Sequence, residues 1–412
     1  MPKEQSERCP VVESRLSSRV RNITPSATVS MDAKTKAYIR EGQPVINMSV
    51  GEPDFDTPVA IAFAGMQAIA DGHTRYTPAA GGLDLRRAVA RKLMTENQLS
   101  YAPEQIVLSS GAKHSLYYVF LCLCDPGDEV IFPAPYWVSY PEQIRLAGAV
   151  PVIVSCDERT GFKMTPEQLE AAITPKTKAV LLNSPSNPTG AVYSEDELRA
   201  LGEVLLRHDV YLVTDEIYER LVYGVEHKSL PALTPELLSR SVVVNGFSKA
   251  FAMTGWRLGY VAAPPDIAKA LTSLQSHASG SPSTISQHAA LVAFDSFDPA
   301  MVHEFERRRD TLVAGLQALP GITCVRPDGA FYAFPNVSGL FGKTFRGSGV
   351  HSGKVLETAD DVCETLLESE WVSAVPGGAF GAPQNIRLSY AVSYEEVEEA
   401  LERIGRFVKA LE

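Results

Sequence analysis

The stretch Gly246-Phe-Ser-Lys249-Ala-Phe-Ala-Met-Thr-Gly-Trp-Arg257-Leu-Gly259 decides the reading of this chain. It begins where the β-branched run SVVVNG (241–246) ends, so Lys249 sits directly after a strand that reads as buried. Gly and small residues crowd the segment, and a second cation, Arg257, lies eight residues on. Apolar surroundings disfavour an ammonium, and a neighbouring cation does the same, so such a lysine is primed to form a Schiff base. The planar fork of an arginine suits a phosphate. Taken alone, a strand-end lysine with a nearby arginine is more often structural than catalytic. The flanking segments decide between the two.

Outward from this stretch, short β-branched runs alternate with helical patterns. IVLSS (106–110), DEVIF (128–132), VPVIV (150–154), KAVLLN (178–183) and VYLVTD (210–215) read as strands. Their alternation with helices predicts an α/β sheet with crossover connections. Thr165-Pro166 opens one helix, and Ser194 with Glu197 forms a capping box at another.

Three further segments lie just past strand ends, where open α/β sheets place ligands. Asp215-Glu-Ile-Tyr218 offers a carboxylate that can pair with a protonated pyridine nitrogen, and a phenol three residues on. Asn183-Ser-Pro-Ser-Asn187-Pro-Thr-Gly190 is a turn that can aim the Asn187 amide. Ser110-Gly111-Ala112 opens a helix whose free N–H groups suit a phosphate. Read singly, DEIY is as readily a helix start and NSPSNPTG as readily a plain turn. The set points to one crevice.

Together these segments resemble the class I aminotransferases of fold type I, and the resemblance runs over essentially the whole chain. The lysine segment fits that family's signature, and SPSNPTG, DEIY and IRLSY occur in the family's order. PSATV (25–29), GEPDFDTP (51–58), RYTPAAG (75–81), SGAKHSL (110–116) and APYWVSYPE (134–142) resemble the bacterial and plastid-type aspartate, or aspartate/prephenate, aminotransferases. The resemblance implies an α/β fold: a large domain with a mostly parallel seven-stranded sheet and a smaller α/β C-terminal domain. It implies pyridoxal 5′-phosphate as cofactor. Lys249 is then the lysine that holds the cofactor and shuttles the proton. Asp215 pairs with the ring nitrogen, Tyr218 and Asn187 reach the ring's phenolic oxygen, and Trp137 stacks on the ring. Arg257, with the helix start at Gly111, Ala112 and Lys113, holds the phosphate. Tyr76 reaches the phosphate of a neighbouring subunit, which implies a homodimer with shared sites. Arg387 clamps the substrate α-carboxylate with help from the Gly51 backbone, and Trp137 and Asn187 also border the substrate. One position departs from many relatives: Gly246 stands where they have serine.

Lys113 and Thr28 match the residues that serve the distal carboxylate in the resembled group, so aspartate, glutamate and their 2-oxo acids are the expected substrates. Prephenate is anionic at its far end and could use the same pair. Members active on prephenate usually carry a basic residue just before the PSAT run, however, where this chain has Thr24, which weakens that reading without removing it. A lyase on the same fold shares the cofactor residues, but the PSATV and SGAKHS blocks speak against it. A ligand sensor would carry a DNA-binding domain, for which the residues ahead of the fold are too few.

Bulk properties agree. At 412 residues, with 45% hydrophobic and 21% charged, the chain reads as a globular protein of two domains. We expect a flexible tail over 1–15, a segment at 16–48 that joins the small domain, a large cofactor-binding domain at 49–300 and a small domain at 301–412. A net charge of −11 argues against nucleic acid or an anionic membrane as the main partner. No run approaches the roughly 20 apolar residues that span a bilayer, and the polar start lacks the apolar core of a secretory signal. The six cysteines read as reduced thiols of a cytoplasmic protein, and Cys122 and Cys124 are too closely spaced for a tetrahedral metal site, so no metal is expected. The Gly/Ser-rich stretch 338–353 reads as an exposed loop. Its Gly342-Lys343-Thr344 is no phosphate loop, because Val337 stands where the first glycine is required.

Overall fold

Residues 16–412 are described by a computed structural model; the tail expected over 1–15 lies outside the described residues. A two-residue strand, β1 (Ile46–Asn47), comes first. Seven strands then form one sheet: β2 (Ile106–Ser109), β3 (Glu129–Ala134), β4 (Val150–Ser155), β5 (Thr177–Asn183), β6 (Tyr211–Asp215), β7 (Ser241–Gly246) and β8 (Gly259–Ala262). Their order is β2-β8-β7-β6-β5-β3-β4. Only β8 runs against its neighbours, antiparallel to both β2 and β7. The sequence had marked six of these strands; β8, the short run after Arg257, was not recognised.

Side chains alternate across the sheet, and this builds three layers. Val107, Val130, Phe132, Ala179, Leu181, Val213, Val242, Val244 and Val261 face one way, with Leu116, Phe120, Ile144 and Leu271 from the helices on that side. Ile106, Leu108, Val243, Tyr260 and Ala262 face the other way, against Leu85, Val89, Leu93 and Ala289. Ile131, Val180 and Leu212 continue that face against Leu169, Leu198 and Leu201. With helices on both faces, the strands can be apolar throughout, which is why they read as continuous β-branched runs.

Four further short strands lie beyond residue 317. β9 (Tyr332–Ala333), β11 (Val375–Pro376) and β12 (Ile386–Ser389) make an antiparallel sheet, and β10 (Val372–Ser373) pairs in parallel with β1. Ile46 and Met48 share a core with Phe305, Leu312, Phe331, Val397 and Phe407. Tyr218, Leu221 and Tyr223 join that core from the end of β6, so the segment after Asp215 crosses from one body of the chain to the other.

The stretch 338–353 departs from its expectation. Leu340 and Phe345 are fully buried, Phe345 stacks on Phe407 at 5.7 Å, and Phe345 bridges to Leu411. Only its second half is a surface connection, because aromatic burial anchors the first. None of its residues lines the cavity described below.

Candidate active site

The carboxyl ends of the parallel strands open on one side of the sheet. Because β8 runs backwards, its amino end, with Arg257 just before it, opens on the same side. A cavity of about 430 Å³ lies there, lined by the large sheet, the N-terminal segment and Arg387 of β12.

Of the residues named from sequence, Lys249, Asp215, Tyr218, Asn187, Arg257, Trp137, Ala112, Gly51, Arg387, Lys113 and Thr28 line this cavity. Gly111 lies just behind the wall. Its φ is +90°, and a Cβ there would sit 2.6 Å from Arg257 Nη2. Only glycine lets the arginine lie against the helix start. Tyr76 is 99% exposed and is outside this chain's own cavity.

Lys249 Nζ donates to the Gly51 carbonyl. Burial, aided by Arg387, Arg257 and Lys113, brings its amine down to about 8, against the opposing pull of Glu52. Asp215 is 4% exposed, and burial pushes its carboxyl up to about 6. It accepts from the Tyr140 hydroxyl at 2.6 Å and from the Ile217 N–H at 3.3 Å. Asn183 Nδ2 holds the Asp215 carbonyl at 2.9 Å, and Asn183 Oδ1 accepts the Asn187 N–H at 2.9 Å. This side chain therefore locks the two strand-end loops together.

Arg387 is 2% exposed, and burial lowers its guanidinium from the usual range. Nη1 donates to Asn187 Oδ1 at 3.1 Å and Nη2 to the Ser49 carbonyl at 2.8 Å, while Nε has no partner. The guanidinium lies 4.5 Å from the Tyr332 ring centroid. Lys113 Nζ stands 4.9 Å from the Trp137 ring, and its ammonium is disfavoured by burial and by Arg257. Thr28, in the first turn of the helix Ala27–Arg40, shares a 2.9 Å hydrogen bond with Ser26. At Gly246 a Cβ would meet the Gly259 Cα and the Leu258 carbonyl at 3.0 Å, so close packing against β8 favours glycine there.

Sequence reading missed Tyr140, Tyr332, Ser49 and the bridging role of Asn183. Tyr140 lies within APYWVSYPE, three residues after Trp137, and its spacing could have flagged it. Nothing around Tyr332 marks it, because its neighbours come from distant segments.

Three cationic side chains, a buried carboxylate and an activated amine in one strand-end crevice define an enzyme site for small anions that react through an amine. The sequence matches the family described as aminotransferase class I and II over residues 43–404. An aspartate aminotransferase of Geobacillus stearothermophilus is 48% identical over 400 residues, covering 96% of this chain and 99% of that one. An aspartate/prephenate aminotransferase of Cereibacter sphaeroides is 44% identical, covering 96% and 99%. The crystal structure of the aspartate aminotransferase from Rhizobium meliloti superposes with a TM-score of 0.92 at 44% identity, covering 97% of this chain and 100% of that one. The Thermus thermophilus aspartate aminotransferase with maleate gives 0.87 at 43% identity, covering 96% and 100%. This chain is a member of the class I and II aminotransferase family.

Class I aminotransferases of this kind use pyridoxal 5′-phosphate, and the residues present fit it. An amine lowered to about 8 suits a carbonyl. The buried Asp215, with no ion-pair partner among the described residues, suits a protonated ring nitrogen. Exposed Arg257 beside the free N–H groups at Ala112 suits a phosphate.

Proposed function

We propose that this chain moves the amino group between an acidic amino acid, aspartate or glutamate, and a 2-oxo acid, oxaloacetate or 2-oxoglutarate. The observation that carries this reading is the pairing of two cations in one cavity: the Arg387 fork with an open Nε, and Lys113 without an ion-pair partner among the described residues. Two separated cations suit a dicarboxylate. The structure of a relative with maleate, itself a dicarboxylate, agrees.

When bound, pyridoxal phosphate supplies a carbonyl that takes up amino groups and a ring that withdraws electrons. Lys249 Nζ would hold it and would carry the proton at the substrate Cα. Asp215, oriented by Tyr140, holds its carboxylate toward the ring nitrogen. Tyr218 and Asn187 would offer a hydroxyl and an amide to the ring oxygen, and Trp137 would pack against the ring. Arg257 and the N–H groups beyond Gly111 and Ala112 hold the phosphate. Arg387 takes the substrate α-carboxylate with the Gly51 backbone, while Lys113 and Thr28 take the distal one.

The working unit is a homodimer. Val59, Phe63, Met66 and Ile69 form an apolar stripe on the helix Val59–Ala70, each more than half exposed, and Tyr76 projects from the same region. A second copy covers this stripe and receives Tyr76 at its phosphate end. We place the division of domains at 49–300 and 301–412, with 16–48 joining the latter, and the enzyme in the cytoplasm. No helix among the described residues is long and apolar enough to cross a membrane, and the described cysteines are free. Prephenate is a second acceptor to test, since relatives 44–45% identical carry that name.

The test is a half-reaction. Aspartate and glutamate, each added without a 2-oxo acid, bleach the visible band of the lysine-bound cofactor, and a neutral amino acid does so far more slowly. Equal bleaching by all three removes the acidic-substrate reading, and a cofactor-loaded protein without the band removes the role of Lys249.

A further inference from the structure

Resting on the function proposed above, we propose that Tyr332 is a positioning residue: it donates its hydroxyl proton to the Tyr218 oxygen and so directs the Tyr218 proton into the cavity.

The two phenol oxygens are 3.0 Å apart, both side chains are buried and both line the cavity. A hydroxyl has one proton and two lone pairs, so one proton lies between the two oxygens and the other must find an acceptor elsewhere. Among the described residues neither hydroxyl has another hydrogen-bond partner. On the Tyr332 side the Gly51 backbone stands close. A Cβ on Gly51 would stand 3.2 Å from the Tyr332 hydroxyl, and the Gly51 carbonyl already accepts from Lys249. If Tyr218 donated to Tyr332, the Tyr332 proton would have no acceptor among the described residues. With Tyr332 as donor, the remaining proton belongs to Tyr218.

The setting of Tyr332 favours the same direction. The Arg387 guanidinium lies 4.5 Å from the Tyr332 ring centroid, and a cation over a phenol makes its O–H the stronger donor. The fold holds the pair in register. Tyr332 pairs with Ser389 and Ala333 with Leu388 in the strand that carries Arg387. The Tyr218 segment is tied to the residues just ahead of Tyr332, since the Ala330 N–H donates to the Leu221 carbonyl at 2.9 Å and Tyr223 donates to the Ala330 carbonyl. A single side chain thus joins the residue proposed for the α-carboxylate to the phenol proposed for the ring oxygen.

The experiment is a spectral pH titration of the cofactor-loaded dimer in wild type, Y332F, Y218F and the double variant. Y332F keeps the ring under Arg387 and removes only the hydroxyl. A Tyr218 proton given to the ring oxygen favours the deprotonated cofactor form, so Y332F should raise the pH midpoint of the visible band. The loss of one neutral hydrogen bond corresponds to a shift of about half to one pH unit. In the Y218F background the same change should add no further shift, and Y332F should lower kcat more than it raises KM for aspartate. An unmoved midpoint in Y332F, or equal shifts in both backgrounds, overturns the inference while leaving the aminotransferase reading intact. Absence of the band in wild type sinks that reading instead.

Discussion

Replacing Lys113 by Met isolates the cation proposed for the distal carboxylate. Met keeps the length and the contact with Trp137, whose ring lies 4.9 Å from Nζ, so packing is little disturbed. Two unit charges about 4 Å apart, at an effective dielectric near 20, attract by about 4 kcal/mol. Lys113 keeps an exposed face in the open cavity although its surroundings partly desolvate it, and screening by water takes away roughly half of that. The expected loss of about 2 kcal/mol is close to a 30-fold fall in kcat/KM for aspartate and glutamate. Alanine or phenylalanine, which lack a distal carboxylate, should lose almost nothing. The assay is the single-turnover half-reaction for each amino acid at fixed ionic strength, repeated at high salt, where the wild-type advantage for acidic substrates should shrink. An equal fall for acidic and neutral substrates would refute the reasoning, because it would show that Lys113 supports the site as a whole. No fall for aspartate would refute it from the other side.

Two other outcomes follow from the same geometry. Arg387→Lys keeps the charge but loses the fork, and with it about two charge-assisted hydrogen bonds worth about 1.5–3 kcal/mol each. KM should rise for every amino acid, acidic or neutral, with kcat/KM down about 10²- to 10⁴-fold, and an effect confined to acidic substrates would contradict the assignment. Lys249 reacts as the neutral amine, and burial holds its ammonium at about 8 rather than 10.5. The rate at which cofactor-free protein takes up pyridoxal phosphate should therefore climb as pH rises toward 8 and level off above it; a rise continuing to pH 10 would mean an unperturbed amine.

The strands and the cofactor motifs were legible because each is written locally. A strand covered on both faces must be apolar at every position, and VYLVTD or SVVVNG shows this within six residues. The loops past those strands carry Lys249, Asp215 and Asn187 within a few residues of a strand end, so their approach to one crevice follows from the parallel sheet alone. β8 escaped notice because four residues between a glycine-rich segment and a proline-rich one hold too little pattern. The Gly/Ser-rich stretch misled for a related reason: its composition announced a loop, while Phe345 packs it against Phe407, sixty-two residues away.

By itself, then, the sequence determined the layered sheet and the chemistry at its strand ends, because both depend on near neighbours and on the regular period of a strand. Only the tertiary structure decided how those groups are tuned and joined. Arg387 meets Asn187 across 200 positions, Tyr332 meets Tyr218 across 114, and Tyr140 meets Asp215 across 75. The lowered amine of Lys249 and the raised carboxyl of Asp215 come mainly from burial, and burial is a property of the whole packed chain.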